Sequence, residues 1–146
     1  MADPFPEQIL DAIVTKVTGL ATTGQNVARA RVYQVDPSVN SSLTVMMGSD
    51  NVASILNNEK IDWELTVNVL STVRATSGID QTINSIRAEV HAALMADYTL
   101  GLPFVIDVVP VSADEPELSG DGDMKFAMQR MEYTVRYRTS RTSISA

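Results

Sequence analysis

The stretch Ile61-Asp62-Trp63-Glu64-Leu65-Thr66-Val67-Asn68-Val69-Leu70 (IDWELTVNVL) has an apolar residue at every odd position and a polar one at every even position before Leu70. Alternation with a period of two marks a strand with one dry face and one wet face. The pattern predicts a strand over 61–73 with Trp63 in the core, where Trp63→Ala costs about 3–5 kcal/mol. So one-sided a strand needs sheet neighbours and a cover on its dry face. Its wet face is left for solvent or for another protein.

Working outward, Ile9, Leu10, Ile13, Val14, Val17 and Leu20 recur at helical spacing between Pro4 or Pro6 and Gly19, predicting a helix over 6–19. Ile79, Ile83, Ile86, Val90 and Leu94 do the same over 80–95, giving a second helix with one stripe for the sheet. Weaker alternation predicts strands over 27–35 and 41–49, with Val52, Ile55 and Leu56 continuing the sheet to a turn at Asn57-Asn58. Residues 104–111 are apolar enough for a largely buried strand, but Pro103 and Pro110 confine it to an edge or to bulged pairing. An acidic turn region spans 114–123, and the last strand spans 124–139. In that strand Phe126 and Met128 are apolar at even positions while Met131, Tyr133, Val135 and Tyr137 are apolar at odd ones. A β-bulge at Gln129-Arg130 would keep both sets on the core face. The expected fold class is α+β: one domain over 1–146, a mostly antiparallel sheet with a bulged long C-terminal strand, packed by two helices. Residues 140–146 are expected to form a flexible tail.

The 146 residues suffice for one domain with a proper core. A hydrophobic content of 45% with 20% charged residues is ordinary for a globular protein. The net charge of −7 disfavours a nonspecific polyanion binder. With no cysteine, disulfides, thiolate metal sites and thiol catalysis are excluded. The start MADPFPEQ does not read as a signal peptide, and no apolar run approaches the ~20 residues of a membrane span. A soluble protein without membrane contact is the expectation.

The residues offer little chemistry. His91 is the only histidine and sits off the apolar stripe of its helix, the usual place of a surface residue. No nucleophile elbow, phosphate-binding loop or dinucleotide fingerprint is present. The acids Asp114, Glu115, Glu117, Asp121 and Asp123 are the best candidates for holding a hard cation, but their spacing fits no EF-hand loop and Pro116, Gly120 and Gly122 lie among them. They read better as a solvated hairpin loop. Arg136, Arg138 and Arg141, with Arg29 and Arg31, form a basic set without the interleaving of a nucleic-acid surface. They read as solvent-facing residues or as partners of acids on a neighbouring subunit. No catalytic, cofactor-binding or metal site is expected. Charge segregation along the last hairpin instead suggests a head-to-tail assembly that closes into a ring.

Three stretches, PEQILDAIVTKV, the pair SLTVMMG and DWELTVNVLSTV followed by IDQTINSIRAEVHAAL, and the closing MEYTVRYRT, occur in an order that resembles the tail terminator proteins of long-tailed bacteriophages, the siphophage or lambda type. The resemblance implies a non-enzymatic structural protein of the virion. It would form a hexameric ring at the head-proximal end of the tail, after assembly in the host cytoplasm. The implied partners are other copies of the chain, the tail tube protein whose polymerisation it ends, and a head-completion or neck protein. DNA would pass through the lumen without specific binding. Asp114 to Asp123, or Asp62 and Glu64, are the acids expected to repel it. Arg29, Arg31, Arg136 and Arg138 are the cations expected at subunit or tube contacts. Three alternatives stay open: another neck, connector or tail completion protein; a ferredoxin-like regulatory domain with a ligand loop at Gly120-x-Gly122; and a metal-dependent hydrolase using the acidic stretch.

Overall fold

In a computed structural model, which describes residues 3–29, 40–120 and 124–145, the alternation of IDWELTVNVL becomes the middle of a long strand. The elements run α1 (Phe5–Val17), β1 (Val27–Arg29), β2 (Ser41–Leu56), β3 (Lys60–Ala75), α2 (Ile79–Met95), β4 (Val105–Ala113), β5 (Glu117–Ser119) and β6 (Lys125–Ser140). They form a single α+β domain whose six-stranded sheet has the order β1-β2-β3-β6-β4, with β5 also on β6. All pairings are antiparallel except β1 on β2, which is parallel. Both helices pack on the same side: α1 against β1 and β2, α2 against β3, β6 and β4.

The dry face is read correctly from its period. Leu65, Val67, Val69 and Val73 of β3 are buried beside Met131, Tyr133, Val135 and Tyr137 of β6. Ile9, Leu10, Ile13 and Val17 of α1, with Ile83, Ile86, Val90 and Leu94 of α2, close over them. Burying each such side chain stabilises by roughly 1.5–3 kcal/mol. Phe5, the first residue of α1, stacks on Phe104 with ring centroids 4.0 Å apart. Gly78 precedes α2 in a left-handed conformation (φ 67°), a turn that a β-carbon resists. Past β6, the Phe5 amide donates to the Ile144 carbonyl at 2.7 Å, so chain start and chain end adjoin.

The bulge expected at Gln129-Arg130 is absent. β6 runs against β3 without a register shift from Lys60 opposite Ser140 to Ala75 opposite Lys125. Odd residues of β6 therefore face the core throughout, and Phe126 and Met128, both 40% exposed, stand on the outer face. The extra residues lie in the neighbours instead. β4 bulges between Val105 and Asp107 and between Pro110 and Ser112, as an edge strand with a proline does. β2 bulges between Met47 and Asp50 and between Val52 and Ser54. Trp63 differs from expectation too. It is half-buried at the margin of the core, and its indole N–H donates to Thr139 Oγ1 at 3.0 Å. Its truncation should thus cost about 2 kcal/mol, less than for a fully buried ring. Of the strand expected over 27–35, Val27–Arg29 is found and the remainder lies outside the described residues.

Gly48 sits at the first β2 bulge for want of room. A β-carbon there would lie 2.9 Å from Thr66 Cγ2 and 3.0 Å from the Thr66 carbonyl oxygen. Gly48→Ala is expected to destabilise the fold by about 1–3 kcal/mol in denaturant titration. A loss below about 0.3 kcal/mol would mean that the two strands do not approach so closely.

Candidate assembly interface

The wet face of the sheet is organised around Asp62. Although it belongs to the polar half of the alternation, it is only 3% exposed. Register explains this: Asp62 lies opposite Arg138 on β6 and Ser54 on β2. Arg138 grips it with a fork, Nε to Oδ1 at 2.7 Å and an Nη to Oδ2 at 3.1 Å. The Arg136 guanidinium stands 3.7 Å from the same carboxylate, and Ser54 Oγ donates to it at 3.4 Å. The hydrogen bonds from Arg138 hold the Asp62 carboxyl below its usual range, outweighing the opposing effect of burial. The acid that answers Arg136 and Arg138 is thus supplied by the same chain. Sequence alone could not show this, because it depends on which residues the β3–β6 register sets side by side.

The other candidate residues are dispersed. Arg29 is tied to Glu7 and Asp11 of α1, the Asp11 contact being 3.0 Å. Asp114 meets Arg130 Nε at 2.9 Å and accepts from Gln129 on its carbonyl at 3.0 Å, which clips the turn after β4 onto β6. Glu64 is exposed opposite Arg136, and Glu115 and Glu117 are exposed near β5; among the described residues none of the three has an ion pair. Arg31, Asp121 and Asp123 lie outside the described residues. Asp114–Glu117 and the Arg136–Arg138 pair lie toward opposite ends of β6, so no single acid-and-base site forms.

The composition had not pointed to the far end of the β2–β3 hairpin. Among the described residues β1 pairs with β2 only as far as Val45, and no other strand pairs with that edge of β2. Its register places Met47, Asp50, Val52 and Ile55 on the helix-side face, yet among the described residues no helix covers them. Met47 is 60%, Val52 51% and Ile55 55% exposed. Among them stands Asp50, whose Oδ2 accepts a hydrogen bond from the buried Tyr137 hydroxyl and whose Oδ1 is buried without a partner. Burial raises the Asp50 carboxyl above its usual range, against the effect of that hydrogen bond. Burial, reinforced by the neighbouring carboxylate, also raises Tyr137. The signal available in the sequence was the run VMMGSDNVASIL, too long for the helices to cover.

Little here resembles an active site. His91 is exposed on α2, beside a shallow hollow it lines with Asn84, Arg87 and Ala88. Among the described residues no group of three or more histidines or acids is placed to hold a metal ion. Among the described residues no helix is long and apolar enough to cross a membrane.

No protein-family model matches the sequence, and no characterised protein matches it. Among solved structures, a chain from the virion of a native gene transfer agent particle superposes with a TM-score of 0.57. The match covers 91% of this chain and 91% of that one, at 16% sequence identity. The likeness is one of fold.

The Asp62 cluster has a defined pH signature. Its folded-state pKa lies below its unfolded value, so its stabilisation is fully present above about pH 4 and is lost as pH falls through the folded value. Asp62→Asn is expected to lower stability by about 1–2 kcal/mol at neutral pH, a deficit that shrinks toward zero in acid. A double-mutant cycle with Arg138→Gln should show coupling of similar size in the monomer. Coupling near zero would mean that the pair is not made within the chain.

Proposed function

We propose that this protein is a structural component of a phage-type virion, a tail terminator. Six copies close into a ring at the head-proximal end of the tail tube, end its polymerisation and present a surface to the head or neck protein. The observation that carries this reading is the full-length likeness of fold to a chain of a gene transfer agent virion. Two features of the chain support it. The outer face of the sheet is, among the described residues, free of helices, and the β2–β3 hairpin exposes an apolar surface beyond the core. A small protein that exposes large apolar side chains together is suited to contact with another protein.

In this reading Glu64, Glu115 and Glu117, unpaired among the described residues, are the acids available to face passing DNA, with Asp121 and Asp123 completing the acidic turn. Asp62, Arg136, Arg138 and Arg29 hold the subunit in shape and present the exposed sides of the arginines to subunit or tube contacts. The ring assembles in the host cytoplasm and remains in the virion; it needs no cofactor and does no chemistry.

Native mass measured over a concentration series, with negative-stain images of the same samples, tests the reading. Closed six-fold rings are expected. A protein that stays monomeric at every concentration, and also in the presence of tail tubes of its own phage, contradicts it.

A further inference from the structure

Two surfaces of the sheet are each apolar, each carry a charge with no opposite partner among the described residues, and differ in sign. The first is the Met47–Ile55 face of distal β2, with Asp50 among the apolar side chains. Its carboxylate meets a tyrosine hydroxyl but no cation, and Oδ1 has no partner. The second lies at the other end of the strands, where Arg74 is opposite Phe126 and Thr72 opposite Met128. The Arg74 guanidinium carbon lies 5.8 Å from the Phe126 ring centroid, and its Nε is buried with no hydrogen-bond partner. Phe126 and Met128 are exposed around it.

We infer that successive copies of this chain meet head to tail, with the Met47–Ile55 face of one seated on the Arg74–Phe126–Met128 patch of the next and Arg74 facing Asp50. The inference rests on the ring reading and names its contact. A second copy is the occupant for reasons of charge and placement. Each patch supplies what the other lacks, an anion set in apolar surface and a cation set in apolar surface. The two lie at opposite ends and on opposite faces of one sheet, so no chain can join its own pair. A two-fold dimer with a single flat interface could not use both patches either; a head-to-tail contact uses both and leaves none over in a closed ring. The remaining exposed apolar strand, β4 with Ile106, Val109 and Val111, fits distal β2 less well. It carries Asp107 and leads into Asp114 and Glu115, like charges for Asp50, whereas the Phe126–Met128 patch has one acid beside it, Glu117 opposite Met128, and the Arg74 guanidinium at its centre.

The absence of cysteine in the native chain makes the test clean. Ile55→Cys and Phe126→Cys, combined in one chain and mildly oxidised under ring-forming conditions, should give a covalent ladder of oligomers up to the ring, whereas each single variant gives none. Arg74→Glu should raise the concentration needed for assembly by about tenfold or more, with thermal unfolding of the monomer little changed. If native mass shows rings but the double variant forms no ladder, the contact is overturned while the ring reading stands. A ladder from Ile55→Cys with Val109→Cys instead would move the contact to the β4 edge and also overturn it. If neither rings nor ladders form, both readings fall.

Discussion

The antiparallel pairing of β3 with β6 is the constraint to which the other elements adapt. Two strands of 16 residues run in register from Lys60 and Ser140 to Ala75 and Lys125 without an extra residue on either side. That pairing puts Leu65, Val67 and Val69 beside Val135, Tyr133 and Met131, the floor on which both helices lie. It also puts Asp62 beside Arg138 on the opposite face, so one register sets both the core and the main ion cluster. The flanking strands bend to fit, β2 and β4 each through two bulges. Helices of 13 and 17 residues rise only 1.5 Å per residue, against about 3.3 Å in a strand, so strands this long outrun their cover. The uncovered remainder is the distal β2–β3 hairpin.

Much of this was legible in the sequence because it rests on period. The stripes of α1 and α2, the dry face of β3 and the edge position of the proline-bearing β4 follow from spacing and backbone chemistry. The phase slip in β6 suggests a bulge that the strand does not have, for a definite reason. Phe126 and Met128 are apolar yet exposed, and a pattern of residue types cannot separate an apolar surface patch from a bulge. The pairing of Asp62 with Arg138 and Arg136, the parallel contact of β1 with β2 and the link from Asp50 to Tyr137 all depend on register or on contacts between distant residues. Such facts are absent from local pattern. The charged residues mark only part of what the sheet presents, since its uncovered end also exposes apolar side chains.

The same features that explain stability bear on the proposed assembly. The strong charges expected to make contacts are partly spent within the chain, on Asp62 and on the Arg29 tie between α1 and β1. What remains unspent among the described residues is an apolar hairpin face around Asp50 and an apolar patch around Arg74, together with the exposed acids Glu64, Glu115 and Glu117. Here the unpartnered groups lie on outward-facing parts of a sheet, as they would in a protein completed by its neighbours.

Amide hydrogen exchange compared between dilute monomer and assembled protein tests this most directly. The account predicts that the amides of Leu65–Val73 in β3 are slow to exchange in both states, while those of Met47–Leu56 exchange readily in the monomer and become protected on assembly. If the Met47–Leu56 segment exchanges at the same rate in both states, with mass showing assembly complete, the hairpin is not the surface through which this protein acts.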